Sequence, residues 1–560
     1  MVKQPRFQLW NTHTGLQVSI IYAVQILKRL SCYGPWAWRC KLCSSNRIQY
    51  ATLSIFAHDG EACARTRLLR GGTASRFHPL QSCRLILARS APGALPQGAR
   101  TVLRIRVYAT IRAVCNDSTQ LITDHAGGND MGYEASSADA LRTFFAKHDV
   151  HTVETAVADS QGHLRGKRVP VERFLRVVVD NGVNIADAIF VFDMQNDLPE
   201  NEFINMDTGY LDCTLVPDNS SARILTHRPG YAVVFCDTFD AQGNPHVMAP
   251  RNVLAKQVER CRALGLDPVI ATEMEFILCT PDWQPVTGYI QYSSLTGMLD
   301  LEDVLRDMRD SLAGAGIEVE SSNAEYGPGQ VEINCGHGGA MKIADDTVLF
   351  KSIIKQVAMQ HGLRATFMAK PFTEATGNGM HVHSSLRANG KNAFADCAHQ
   401  PNALMGKWLA GLLEHALAMT FIGAPTPNGP RRIRPYTFAP THVCWGLDNR
   451  TVLARCIAEP DSQANRVEFR AAGADANPYL VIAAILAAGA DGIERDLTPP
   501  QMSAGDKYTH PGDCAALPTT LADAVEYFRG SALAGMLGEV FSKSYVSIAD
   551  AEVALAAEHA

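Results

Sequence analysis

Ala271-Thr-Glu273-Met-Glu275-Phe-Ile-Leu278 reads as a β-strand by composition, and its two glutamates stand two residues apart. Alternate residues of a strand share a face, so both carboxylates point the same way. Like charges that close are unfavourable unless a cation lies between them. Taken alone, the stretch also fits an edge strand with surface glutamates.

Three further groups share this character. Asn323-Ala-Glu325-Tyr-Gly-Pro-Gly-Gln330-Val-Glu332-Ile-Asn334 places an acid on each side of a forced tight turn, the pattern of a hairpin. Gly377-Asn-Gly-Met-His381-Val-His383-Ser-Ser385 brings two imidazoles to one face after a glycine-rich approach. Arg466-Val-Glu468-Phe-Arg470 puts a carboxylate between two guanidiniums on one strand face, and an exposed salt-bridged strand is its plain alternative. Together they supply Glu273, Glu275, Glu325, Glu332, Glu468 and His381. Five carboxylates and one imidazole suit two hard cations, Mg²⁺ or Mn²⁺, better than zinc or copper. Two such ions bridging phosphate oxygens support phosphoryl transfer. Arg431, Arg432, Arg434, Arg450, Arg455, Arg466 and Arg470 crowd the same part of the chain, and guanidinium clamps phosphate and carboxylate bidentately. There is no Gly-x-x-x-x-Gly-Lys-Ser/Thr loop, so ATP would be held without a P-loop.

The chain has 560 residues, 46% of them apolar and 19% charged, which describes a globular protein of more than one domain. Its net charge of −6 argues against a dedicated nucleic-acid binder. No run of about 18 apolar residues occurs, so no transmembrane helix and no membrane partner are expected. Fifteen cysteines are scattered, with Cys40 and Cys43 the one close pair, which suits a reducing compartment and a cytoplasmic location. Charge is unevenly spread: residues 1–130 hold 17 Lys and Arg against five acids, and the remainder holds 34 bases and 52 acids. That basic segment shows no sustained period. A transit peptide is one reading, although about 130 residues is long for one. A zinc or nucleic-acid site through Cys40, Cys43, His58 and Cys63 matches no strong spacing. The expected reading is an upstream extension without a domain, with Met131 as the natural start.

From Met131 the texture becomes that of a folded domain. Glu134–His148 has helical spacing, Val150–Val157 reads as a strand, and Asp159-Ser-Gln-Gly162 reads as a turn. A helix starts at Pro170, and Ala232–Cys236 is another strand, so 131–238 is expected to be a small mixed α/β domain. Pro250–Ala263 is a predicted helix, Asp282–Thr296 a loop, and a larger α+β region occupies 239–560.

The four groups, with Lys370-Pro371, Asn428…Arg431-Arg432…Ala439-Pro440, Asp448-Asn-Arg450-Thr and Ala476-Asn-Pro-Tyr479, resemble the glutamine synthetase superfamily in order and spacing, from about Val150 to the late 490s. The resemblance implies an α+β fold, with a small β-grasp N-terminal domain and a larger catalytic domain whose antiparallel sheet forms a two-metal funnel. It also implies a ring, typically a dodecamer, in which a neighbour's N-terminal domain completes each site. By that resemblance Glu275, Glu325 and Glu332 hold one ion, and Glu273, His381 and Glu468 hold the other. His383, Arg432 and Gly377 bind glutamate, Ser385 and Arg466 lie near the nucleotide, and Arg450, Arg455 and Arg470 steady the transferring phosphoryl group. The implied reaction has glutamate's γ-carboxylate attack the γ-phosphate of ATP, after which an amine displaces phosphate.

One departure separates members of that superfamily. Glutamine synthetases carry a glutamate just before Ala-Pro, where it deprotonates ammonium, whereas here Arg432-Ile-Arg-Pro-Tyr-Thr-Phe438-Ala-Pro440 has an aromatic residue. An apolar ring offers contact surface to a longer amine. The segment, followed by Trp445-Gly and Asp-Asn-Arg-Thr, looks like the γ-glutamylpolyamine (γ-glutamylputrescine) synthetases. The expected activity is therefore ligation of glutamate to an alkylamine or polyamine. A divergent ammonia-using glutamine synthetase and a non-catalytic regulatory relative are the alternatives, the second disfavoured by retention of all six metal-ligand candidates. His337, Asp193 and Asp197 are candidates near the amine site, with structural roles the expectation for each.

Overall fold

The computed structural model describes residues 52–58, 61–66, 102–106, 138–288 and 292–558. Two compact units divide the chain, Met1–His125 and Ala126–Ala560. In the first, β1 (Thr52–His58), β2 (Glu61–Thr66) and β3 (Val102–Arg106) pair antiparallel in the order 2-1-3. The rest of segment 1–130, with Cys40 and Cys43, lies outside the described residues, as do residues 134–137 of the helix expected over 134–148.

The second unit opens with α1 (Ala138–Lys147), whose Leu141 and Phe145, four apart, are its buried residues. β4 (Thr152–Ala158) and β5 (Leu164–Pro170) are joined by the Asp159–Gly162 turn. There the Asp159 carboxylate accepts the backbone N–H groups of Gln161 and His163 at 3.0 and 2.8 Å. With β6 (Val183–Ala186), β7 (Asp212–Pro217), the short β8 (Arg223–Ile224) and β9 (Tyr231–Phe239), these build a six-stranded sheet in the order 5-4-9-7-6, β8 adding to β9. Only β4 and β9 run parallel. Phe174, Leu175 and Val178, from a helical segment over 171–181, pack with Leu141 and Phe145 against it.

The larger sheet centres on β10 (Asp267–Cys279). Its other main strands are β11 (Val319–Ala324), β12 (Gln330–Cys335), β15 (Met380–Ala388), β17 (Trp445–Leu447), β18 (Ala454–Ile457) and β19 (Arg466–Phe469). They lie in the order 11-12-10-15-19-18-17, antiparallel except for β17 with β18. Three short strands, β13 (Gly338–Gly339), β14 (Arg364–Thr366) and β16 (Lys391–Asn392), extend β10 and β15. Along β10 the period of two sorts chemistry: Thr272, Met274 and Phe276 are buried, while Ala271, Glu273 and Glu275 face the other, more open side. The apolar side joins one large core with α2 (Pro250–Ala263), α3 (Glu302–Gly314), α4 (Ala340–Gln360), α5 (Ala403–Glu414) and α6 (Ala416–Gly423). The same core includes α7 (Pro478–Glu494), α8 (Leu521–Phe528), α9 (Ala532–Leu537) and α10 (Glu539–Glu558).

Asn477 caps α7 through its side chain with Pro478 at the first helical position, the geometry these residues favour. A Cβ on Gly411 would stand 2.0 Å from the Ala488 carbonyl, so glycine lets α5 and α7 meet backbone to backbone. Asp282–Thr296 contains turns and no strand among its described residues, as the sequence indicated. The whole is the expected α+β architecture, a smaller sheet followed by a larger, mainly antiparallel one.

One buried guanidinium joins the two sheets. Arg251, on α2, donates to Asp218 at 2.7 Å and to Asp237 on β9. It also reaches both carboxylate oxygens of Asp345 on α4, at 3.1 and 3.2 Å. The Tyr479 hydroxyl of α7 donates to the same Asp345 at 2.5 Å.

Candidate active site

Strand register brings the acidic and imidazole side chains together. Glu273 on β10 is the cross-strand partner of His381 on β15, and His383 is the partner of Glu468 on β19. On the other side of β10, Glu275 stands directly opposite Glu332 of β12, and Arg455 of β18 is opposite Glu468. Glu325 follows β11 just before the tight turn, its backbone N–H bonded to the Gln330 carbonyl.

His381 Nδ1 lies 3.3 Å from Glu273 and 3.4 Å from Glu468. His383 Nε2 lies 2.8 Å from the other Glu273 oxygen, and Arg466 Nε donates to His383 Nδ1 at 3.0 Å. Guanidinium is only a donor, so Nδ1 must accept and the His383 proton sits on Nε2, aimed at Glu273. Glu273, His383 and Glu468 bring one ligand atom each within 4.8 Å of one another, where the sequence pointed to His381 in place of His383. With Nδ1 of His383 occupied by Arg466, His381 is the imidazole whose nitrogen faces two carboxylates without a competing donor.

Glu468 is fully buried and accepts from Arg455 at 2.8 Å and from Arg470 at 2.5 Å. Burial alone would raise its pKa, but Arg470 and the histidines hold it down at about 2. Glu273 is likewise held well below the carboxylate range, bonds to His381 and His383 outweighing burial. The opposite holds on the β12 side. Burial and the charge of Glu275 push Glu325 up to about 7, and burial with Glu273 and Glu275 pushes Glu332 up to about 9. Asn323 and Asn334 donate to these two carboxylates, at 2.9 and 3.1 Å, without offsetting the repulsion. Crowded, partly buried carboxyls with too few cations are the donor set of a divalent-ion site, and the residues fit Mg²⁺ or Mn²⁺.

Behind the carboxylates, Gln330 Nε2 donates to Glu275 at 3.1 Å and to the Gly377 carbonyl at 3.0 Å, and Gly379 N–H donates to Glu275 at 2.7 Å. Buried Arg432 is fixed by the carbonyls of Ala471 and Arg470 at 3.2 and 3.3 Å. A Cβ on Gly377 would meet the Ala369 carbonyl at 2.2 Å and Arg432 Cγ at 3.0 Å, so only glycine admits this approach. Burial, then the neighbouring Arg470, lowers the Arg432 pKa. Ser385 follows on the face of His381 and His383.

Aromatic residues line the mouth. Phe438, 47% exposed, meets Tyr326 edge to face at 5.5 Å, and Tyr326 meets Tyr292 at 6.4 Å. Tyr326 N–H also bonds the Glu325 carboxylate at 3.2 Å, so the rings begin one residue from the acidic cluster. Arg470 donates to the Phe438 carbonyl at 3.1 Å.

Arg450 is exposed and forms no hydrogen bond or ion pair with the cluster, unlike Arg455, Arg466 and Arg470. Asp193 accepts the N–H groups of Gln195 and Asp197, each at 2.8 Å, and so shapes its own loop. His337 is exposed beside β13. Sequence reading gave no role to Tyr292, Tyr326 or Tyr508. The last sits on a segment of turn residues without period or motif, where nothing marks a lone aromatic.

A family model described as the glutamine synthetase catalytic domain matches residues 247–560. The chain is 36% identical over 414 residues to glutamate–isopropylamine ligase of a Pseudomonas species, covering 71% of this chain and 90% of that protein. It is 32% identical over 411 residues to γ-glutamylputrescine synthetase of Escherichia coli strain K12, covering 70% and 86%. A Thermus thermophilus glutamine synthetase is 37% identical over 343 residues, covering 57% and 76%. Among solved structures, a GmaS–ADP complex aligns with a TM-score of 0.68 at 29% identity, over 75% of this chain and 96% of that one.

Proposed function

The chain belongs to the glutamine synthetase family, an ATP-dependent ligase that forms carbon–nitrogen bonds, and on that footing we propose that it joins glutamate's γ-carboxylate to an alkylamine, with putrescine-like diamines as the expected class. The observation that carries this reading is the ring cluster of Phe438, Tyr326 and Tyr292 beside the carboxylates, in a loop from Arg432 to Pro440 that contains no acid. A hydrocarbon body gains contact on such rings, and a distal ammonium gains cation–π attraction. Bare ammonium would gain little from apolar contact.

In the first step the γ-carboxylate attacks the γ-phosphate of ATP and releases ADP, leaving γ-glutamyl phosphate. In the second a neutral amine nitrogen attacks the carbonyl carbon of the acyl phosphate, the bond to the phosphate oxygen breaks, and the nitrogen gives up a proton as phosphate departs. Divalent ions held by Glu275, Glu325 and Glu332 and by Glu273, His381 and Glu468 would neutralise charge on the phosphate oxygens when bound. Arg432 and Gly377 would seat glutamate, with His383 beside it. Arg466 and Ser385 would face the nucleotide, and Arg455, Arg470 and Arg450 would offset charge on the moving phosphoryl group. The ion pairs of Arg455 and Arg470 with Glu468 hold their guanidiniums in place before substrate arrives. Steady-state turnover with ATP, glutamate and ammonia, isopropylamine, ethanolamine, putrescine or spermidine tests the reading. Putrescine or another alkylamine is expected to give the highest kcat/KM, and fastest turnover with ammonia would overturn it.

We also infer assembly into rings, with dodecamers the expected size. Apolar side chains exposed between β6 and β7, Met206 and Leu211 among them, support a buried contact there. Light scattering should give the mass of a ring, and a fully active monomer would exclude it. No described helix is long and apolar enough to cross a membrane. The nine cysteines from Cys213 to Cys514 are free thiols, which supports a reducing, cytoplasmic setting.

A further inference from the structure

Gly505-Asp506-Lys507-Tyr508-Thr509-His510 forms a strap tied to two loops of the site. The Gly505 carbonyl accepts from Asn449 Nδ2 at 2.9 Å and from Thr451 Oγ1 at 3.2 Å, and Lys507 N–H donates to Thr451 Oγ1 at 3.1 Å. Thr509 Oγ1 lies 2.6 Å from the Tyr436 hydroxyl, which ties the strap to the loop that carries Phe438. Within it, Asp506 accepts Tyr508 N–H at 2.8 Å and the Thr509 hydroxyl at 2.6 Å. The strap is therefore shaped from inside and anchored from outside, and the Tyr508 ring packs on Tyr436 with centroids 5.4 Å apart.

The Tyr508 hydroxyl has no hydrogen-bond partner among the described residues. Its oxygen is buried without a hydrogen bond, a costly state for a phenol. Arg470 and Arg432 lie within electrostatic reach of it. Arg470 Nε is also buried and unpartnered, while the other Arg470 nitrogens are engaged by Glu468 and by the Phe438 carbonyl. An unmatched phenol and an unmatched Arg470 nitrogen, with the Arg432 guanidinium also in reach, call for an anionic acceptor, and a carboxylate supplies oxygens that accept from both donors.

We propose that Tyr508 is a substrate-binding residue whose hydroxyl donates a hydrogen bond to a carboxylate oxygen of the amino-acid substrate, beside Arg432. The assignment rests on the glutamate–amine ligase reading and adds a glutamate contact from the strap. Tyr508→Phe keeps the ring packing and removes only the donor. In the Mg²⁺-loaded full-length protein it should raise KM for glutamate about tenfold, the weight of one hydrogen bond to a charged group. KM for ATP and kcat should stay within about twofold, because a contact made equally in ground and transition states acts on KM alone. Thr509→Val loosens the strap but keeps the phenol, and should move KM for glutamate far less. Calorimetric titration of glutamate into both variants reads binding without turnover and should show the same order. Unchanged glutamate affinity in Tyr508→Phe, an equal rise in Thr509→Val, or a loss confined to kcat would each overturn the assignment. Wild-type protein that turned over no amine would overturn the ligase reading with it, whereas an active wild type with an indifferent Tyr508→Phe would overturn this contact alone.

Discussion

Phe438 adopts a left-handed backbone, φ 59°, with Tyr436 two residues earlier at φ 62°, so the loop at the mouth is bent in a way few side chains accept freely. Its carbonyl is held by Arg470 and its ring by Tyr326, which makes the ring a fixed wall. Phe438→Glu replaces that wall with a charge. Turnover with alkylamines is expected to fall at least tenfold in kcat/KM while turnover with ammonia rises; parallel amine assays on wild type and variant check it, and loss with every amine alike would remove the ring from amine choice. The residues that touch one another across strands were legible in sequence, because a period of two fixes the face shared by Glu273 and Glu275, by His381 and His383, and by Glu468 with its arginines. His381 was named as the ligand from the sequence, but the physical reason that it and not His383 stands free between two carboxylates was not legible. That depends on Arg466 occupying one nitrogen of His383, a contact spanning 83 residues. Tyr508 escaped for the same reason, since its meaning comes from two guanidiniums about forty to eighty residues away in sequence.

The pairing of β10 with β12 sets Glu275 against Glu332, an arrangement that weakens the sheet unless something positive intervenes. Glu325 and Glu332 titrate at about 7 and about 9 in the folded chain, against about 4.3 for an ordinary glutamate. Across that interval the folded, metal-free protein keeps protons that the unfolded chain has already released. Its stability is full below the interval and falls as pH rises through it. The depressed carboxyls Glu273 and Glu468 act only at more acid pH and leave this slope intact. Saturating Mg²⁺ replaces those protons and binds only the folded form, so the slope should flatten. Melting curves from pH 5 to 9, in chelator and in Mg²⁺, should diverge steadily towards alkaline pH, and parallel curves would count against a metal at these carboxylates. The four motif strands were readable from composition and spacing. Their order in the sheet was not, because antiparallel neighbours such as β10 and β15 are more than a hundred residues apart and no local signal encodes the pairing.

At the scale of the molecule, the small sheet and the large one belong to one compact unit, Ala126–Ala560. Arg251 is one polar tie within it, with carboxylates of the small sheet on one side and Asp345 on the other, beside an apolar core that takes in Ala156, Val233 and Phe235. Arg251→Met would leave Asp345 buried beside Asp346 without its cation and should destabilise the protein by about 3–5 kcal/mol. Calorimetry should show a single transition in wild type and a lower, broadened or split one in the variant; an unchanged melt would remove Arg251 as the tie. The sequence could not announce this tie, since Arg251 opens a helix that reads as ordinary and its partners lie up to 94 residues away. A guanidinium gripped from both sides leaves little slack between the strands of the small sheet and the strands that carry the acids. A force applied to the small sheet would travel to the acid-bearing strands as through a stiff strut.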